Sequence, residues 1–240
     1  MVQYDGEAHT GMDLRYEAFC FADRYFYDVD GYGIETLDSW VSTLSGIGSG
    51  WRRFDRDDWH VCLPDGVDLP MQGWKIHVAA AAGDARAVLA AVRPYCVQSR
   101  LPFKFLRSAK IHLNRNAKYA DRSASGKLIT IYPVGETDLK RVLDDLAARL
   151  SAIDAPHIPG DLRYGKSPLY VRYGGFVERM ITDSRGTEIP ALERPDGEVV
   201  PEPIGLPEWV EVHGFEGTPL ACQRVDGYRP PEWPGQERPQ

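Results

Sequence analysis

Lys75 and His77 stand two residues apart in the run GWKIHVAA, residues 73–80. Side chains alternate faces along a strand, so Trp74, Ile76 and Val78 line one side while an ammonium and an imidazole share the other. Further cations sit on or beside apolar runs: Lys104 in PFKFL, Lys118 and Arg122 in KYADR, Lys127 in SGKLITIY, Arg163 in DLRY and Arg172 in YVRYGG. Any one of them is accounted for by a long side chain that lays its methylenes over apolar neighbours and keeps its charge in water. The set is harder to dismiss. Lys104 lies between Phe103 and Phe105, and Arg172 between Val171 and Tyr173, on strands almost without carboxylates, so desolvating them calls for an anion. Convergent Arg and Lys suit a phosphate, which accepts paired guanidinium bonds and needs charge compensation. A lysine held among other cations has its ammonium disfavoured, and the free amine that results can take a proton.

Other chemistries find little support. SASGKL lacks both the first glycine and the final Ser or Thr of a phosphate-binding loop, since Asp121 and Leu128 occupy those positions. The GYG at 31–33 is followed by Thr36 where a dinucleotide fingerprint has its third glycine. No HRD and DFG pair marks a protein kinase. Cys20, Cys62, Cys96 and Cys222 are scattered, with no CxxC, and HExxH is absent, so no metal site is expected. The 240 residues carry 28 Lys and Arg against 35 Asp and Glu, a formal net charge of -7, which disfavours nucleic acid as a partner, including RNA along KYADRSASGK. No run approaches the roughly 18 apolar residues of a membrane span. The start MVQYDGEAHTGMDLR lacks the basic-then-apolar order of a secretory signal, and a cytoplasmic protein without membrane contact is expected.

The elements that must position these cations are partly legible. WKIHVAA predicts a strand, and Gly83 and Asp84 predict a cap before the helix ARAVLAAVRPYC, which Pro94 kinks or ends. LPFKFL predicts a short strand, KIHL a second, and KLITIYP a third after a polar loop. Leu139, Val142, Leu143, Leu146 and Leu150 recur at helical spacing, with Thr137 or a neighbour as cap. LYVRYGGFVERMIT predicts two strands joined as a tight hairpin at Gly174–Gly175, and DSRG a turn. Mixed strands and helices without sustained strand–helix–strand alternation predict an α+β domain, a largely antiparallel twisted sheet with flanking helices. One domain is expected over residues 1–215, its first 60 residues rich in aromatics and glycine. Residues 216–240 form a proline-rich tail or linker.

The motifs WKIHV, PFKFLRS, KYADRSASGK followed by ITIYP, and YVRYGGF resemble the amino-terminal lyase domain of class III lanthipeptide synthetases. That domain is itself similar to the bacterial effector phosphothreonine lyases. The resemblance spans about residues 14–215, is strong to the synthetase domains and looser to the effectors, where the Lys-x-His pair and later basic residues carry it. It implies a phosphothreonine-lyase-like fold and the removal of phosphate from phosphoserine and phosphothreonine in a precursor peptide. The products would be dehydroalanine and dehydrobutyrine, formed without metal or cofactor. Carried over position by position, Lys104 is the base that removes the Cα proton and His77 the acid that protonates the departing phosphate. Lys75, Arg122, Arg163 and Arg172 hold the phosphate, with Lys127 and Tyr119 as weaker members. A site carboxylate also belongs to the effector pattern, and Asp121, Asp154 and Asp161 are equally eligible for it. Full synthetases continue into kinase and cyclase domains, which makes this chain either a stand-alone lyase or part of a longer enzyme. The rival reading is a phosphopeptide-binding module that uses the same cations without turnover.

Overall fold

The computed structural model describes residues 39–41, 47–117, 120, 125–203 and 206–210, together with the backbone of 222–223. The larger sheet contains β1 (Trp51–Arg56), β2 (Trp59–Pro64), β3 (Gln72–Ala79), β4 (Phe103–Leu106), β5 (Lys127–Ile131), β6 (Leu162–Tyr164), β7 (Leu169–Gly175) and β11 (Cys222–Gln223). Its spatial order is β1-β2-β4-β5-β3-β7-β6-β11, with every neighbouring pair antiparallel. A smaller antiparallel sheet holds β8 (Met180–Thr182), β9 (Glu188–Glu193) and β10 (Val199–Pro201), with β9 in the middle. Three helices complete the described residues: α1 (Ala85–Gln98), α2 (Ala109–Arg115) and α3 (Glu136–Arg149). The expected α+β architecture with a largely antiparallel sheet is what the chain adopts.

Strand alternation divides the large sheet into two chemically different faces. On one, Ile76 lies opposite Ile131 and Val171, Val78 opposite Ile129 and Leu169, and Phe103 opposite Ile131 and Cys62. These residues are buried in one continuous core. Helices α1 and α3 cover it with Val88, Leu89, Val92 and Cys96 from one and Leu139, Val142, Leu143 and Leu146 from the other, each set at the i, i+3, i+4 spacing of a helix stripe. Tyr95 of α1 donates to Asp145 of α3 (2.8 Å), tying the pair together. The opposite face carries the polar residues.

Three local readings change. Pro94 neither ends nor splits α1, which runs on to Gln98 because Val92, Tyr95 and Cys96 stay packed on the core and offset the lost backbone bond. KIHL is not a strand but lies in α2. The Ser108 side chain accepts from Ile111 N (3.2 Å), a capping bond that competes successfully with the strand pattern. The cap of α3 is Gly135, a near neighbour of Thr137, with φ +85, a backbone value that glycine reaches without strain. Gly174–Gly175 forms no hairpin: both continue β7, paired with Gly73 and Gln72, and β8 joins the small sheet instead. These glycines serve close approach. A Cβ on Gly73 would sit 2.9 Å from the Phe176 ring, and one on Gly174 would sit 2.6 Å from Glu202 Oε1. The DSRG turn is present, closed by Gly186 N donating to Asp183 O (3.0 Å). The tail, 216–240, lies outside the described residues except for Cys222–Gln223. No helix among the described residues is long and apolar enough to cross a membrane.

Ile76 is fully buried at the middle of the sheet, between the two polar side chains of its strand. Ile76→Ala is expected to cost about 2–5 kcal/mol, read as a lower denaturant midpoint at unchanged slope.

Candidate active site

Strand register alone assembles the polar face. Lys104 of β4 lies opposite Thr130 of β5, Thr130 opposite His77 of β3, His77 opposite Tyr170 of β7, and Tyr170 opposite Arg163 of β6. Directly opposed residues point to the same side, so Lys104 and His77 face one space with a single strand between them. Their Cα atoms are therefore about 10 Å apart at ~4.8 Å per strand. One step along, Lys75 opposes Arg172 on that same face.

Lys127 reaches this face through an irregularity. Val78 pairs with Ile129, yet Ala79 pairs with Lys127, a register shift that rotates the strand by one residue. Regular pairing would have put Leu128 opposite Ala79 and aimed Lys127 at the core.

Asp161, just before β6, ties the cations together. His77 Nδ1 donates to Asp161 Oδ2 at 2.5 Å, and Lys127 Nζ stands 4.0 Å from that same oxygen. Arg172 Nη1 is 3.9 Å from Oδ1. The Asp161 side chain has no solvent exposure and that of His77 only 5%. Burial alone would raise the Asp161 carboxyl, but its contacts with His77 and the charges of Lys127 and Arg172 hold it below its ordinary value. Burial drives His77 down to about 3, Lys127 adds to the effect, and the charge and hydrogen bond of Asp161 oppose it without offsetting it. Nδ1 is thus engaged by Asp161, which leaves Nε2 as the other ring nitrogen able to carry a proton.

The two lysines differ in company. Lys75 is lowered to about 8 by burial, with Glu202 raising it and Arg172 and Lys127 lowering it further. Lys104 is also lowered to about 8 by burial, and the next contributions, from Lys75, Arg115, Lys127 and Arg56, all act in that direction. Its Nζ lies 4.5 Å from the centre of the Trp59 ring, and the Arg115 guanidinium stands 5.3 Å from that ring. Arg115 is fixed in turn by Nε donating to Asp58 (2.6 Å). Lys104 and Lys75 are thus lowered alike, and Lys104 is the one with no carboxylate among its main influences.

The structure gathers Lys104, His77, Lys75, Lys127 and Arg172 on one face. Arg163 shares that face but spends two donors on its own turn, Nε on Ser167 O (2.9 Å) and Nη2 on Lys166 O (3.0 Å). Arg122 and Tyr119 lie outside the described residues, as does Asp121. Of the other two acids left eligible by the sequence, Asp161 bonds His77 while Asp154 takes no part in this cluster. Two residues went unseen in the sequence. Trp59 sits at a regular alternating position in WHVCLP that could have suggested it. Glu202, whose Oε1 accepts from Arg172 Nη2 (2.8 Å), carries no such signal.

The described residues thus form an α+β domain with a cluster of cations on one face of an antiparallel sheet, around a carboxylate-held histidine. The chain belongs to the RamC N-terminal domain family, whose model matches residues 41–233, in agreement with the resemblance drawn from its motifs. It is 40% identical over 214 residues to the probable SapB synthase of Streptomyces coelicolor, covering 86% of this chain and 23% of that protein. The chain thus spans about a quarter of the length of that curated relative. Among solved structures it is similar to the VirA (SpvC) phosphothreonine lyase effector of Chromobacterium violaceum, with a TM-score of 0.43 at 15% identity over 58% of this chain and 74% of that one. It is also similar to the type III effector and phosphothreonine lyase OspF of Shigella flexneri, with a TM-score of 0.43 at 12% identity over 68% of this chain and 92% of that one.

Asp161→Ala would remove the fully buried carboxylate bonded to His77 and beside Lys127 and Arg172, and is expected to cost about 3–5 kcal/mol of stability. Denaturant unfolding of the two proteins side by side measures it, and a loss within error of zero would remove Asp161 as the centre of the cluster.

Proposed function

We propose that this domain is a phosphoserine/phosphothreonine lyase that eliminates phosphate from a phosphorylated precursor peptide, leaving dehydroalanine or dehydrobutyrine. The observation that carries the reading is Lys104 and His77 on one sheet face, separated only by Thr130, with Lys75, Lys127 and Arg172 around them. An ester phosphate held by those three cations sets its Cβ–O bond between an amine and an imidazole. The free amine of Lys104 takes the Cα proton, the C–H electron pair forms the Cα=Cβ double bond, and the Cβ–O bond breaks with its pair leaving on oxygen. His77 delivers a proton from Nε2 to that oxygen. Cations near the substrate carbonyl stabilise the negative charge that develops as the Cα proton leaves.

The lowered proton affinity of His77 fits this scheme. A dianionic phosphate brings negative charge beside a ring that burial and Lys127 had discharged, and so raises its proton affinity. Asp161 stabilises the resulting imidazolium through its bond to Nδ1. The substrate thereby charges its own acid. Within a longer protein such a domain would take phosphopeptide from a kinase activity and pass the dehydrated peptide to a cyclase activity.

Incubation with a phosphothreonine peptide followed by mass measurement tests the chemistry: loss of the elements of phosphoric acid is expected, and a restored hydroxyl would refute it. Lys104→Ala should abolish turnover while phosphopeptide still binds through Lys75 and Arg172. Equal loss of binding across Lys104, Lys75 and Arg172 variants would favour a binding module instead.

The pH dependence follows from the two lysines. The reaction needs Lys104 neutral and Lys75 charged, and both titrate near 8. Below that range Lys104 keeps its proton, and above it Lys75 loses the charge that binds phosphate. A bell-shaped kcat/KM profile with its maximum near 8 is expected, and an unchanging value from pH 6 to 10 would contradict the assignment.

A further inference from the structure

Glu202 places a carboxylate among the cations that the proposed reaction needs for phosphate. Its Oε1 accepts from Arg172 Nη2 at 2.8 Å, the strongest contact that Arg172 makes, since Asp161 stands 3.9 Å away. Glu202 Oε1 and Lys75 Nζ also share the small space above Gly174, where an added Cβ would lie 2.6 Å from the first and 3.4 Å from the second. Glycine at 174 is what leaves room for both. The Glu202 side chain is only 14% exposed.

The delivery of this carboxylate is rigid. Glu202 stands between Pro201 and Pro203, so its own backbone is confined to extended conformations. Its N–H donates to Pro190 O of β9 at 2.8 Å. The small sheet thus holds the residue against the end of β7, and retreat of the carboxylate calls for a side-chain rotation.

We propose that Glu202 is the resident counter-ion of the phosphate subsite, occupying Arg172 and neutralising Lys75 until the substrate phosphate displaces it. The inference rests on the lyase reading for the identity of the incoming anion. A protein that keeps Lys75, Lys127 and Arg172 together on a partly desolvated face pays a repulsion that a tethered carboxylate offsets. The same carboxylate must yield its bond to Arg172 when a dianion arrives, so it weakens phosphate binding and sharpens the demand for a strong anion.

The experiment compares binding of inorganic phosphate and of a phosphothreonine peptide to the full chain, to Glu202→Gln and to Glu202→Ala, by calorimetry. KM and kcat are measured in parallel. Displacement predicts that both variants bind phosphate about tenfold tighter, the factor that about 1.4 kcal/mol represents. KM should fall by a similar factor. If Glu202 instead only steadies Arg172, Glu202→Gln binds phosphate like the parent and Glu202→Ala binds more weakly; either result overturns the proposal. Unfolding curves identify any variant that fails to fold, and the remaining one decides. Absence of elimination in every protein, with the binding shifts intact, would instead count against the lyase chemistry.

Discussion

Four cations and an imidazole share one largely buried face of the sheet, and the buried carboxylate of Asp161 is what makes that arrangement tolerable. A charge desolvated without a partner costs several kcal/mol even after relaxation. Asp161 holds His77 through a hydrogen bond and stands about 4 Å from both Lys127 and Arg172. The compensation is partial: one carboxylate cannot neutralise Lys75, Lys104, Lys127 and Arg172 together. Burial first, and the neighbouring positive charges after it, lowers Lys75, Lys104 and His77. Glu202 supplies part of the remaining charge from a different sheet.

The sheet is the device that makes such a cleft precise. Each side chain is fixed by its strand's hydrogen bonds to two neighbours, and the reverse face is clamped by the continuous core under α1 and α3. A residue slipped by one position would exchange Lys75 and His77 for Ile76 and Val78. The single register shift at Val78–Ala79 performs that exchange on purpose for β5, bringing Lys127 to the polar side while Ile129 and Ile131 stay in the core. Function and stability therefore draw on opposite faces of the same strands.

Three residues next to Lys104 show how the surroundings separate two otherwise similar lysines. Trp59 covers its ammonium, Arg115 also stands over that ring, and Asp58 holds Arg115 in place. Lys75 has acidic company in Glu202 and Asp161, whereas Lys104 is surrounded by cations. The lysine proposed as base is thus the one with no carboxylate among its main influences, and the lysine proposed as phosphate ligand is the one beside a resident anion.

Strand alternation is a local steric rule, and it suffices to read from WKIHV that Lys75 and His77 share a face, from PFKFL that Lys104 sits between core residues, and from the leucines after Thr137 that a helix covers the sheet. The amino-acid sequence by itself determined those faces, the α+β class and the family resemblance carried by the motifs. It could not choose among Asp121, Asp154 and Asp161, because an ion pair across 84 residues depends on how β6 packs beside β7. Nor could it reveal the face of Lys127, which a one-residue shift reverses, or the reach of Glu202 into the cleft from the small sheet. The KIHL segment and the Gly174–Gly175 pair misled for a related reason: a capping bond and close backbone approach outweighed the pattern of their neighbours. Side-chain direction along one strand is set by adjacent residues, but which charges meet is set by register between strands, and only the tertiary structure decides that.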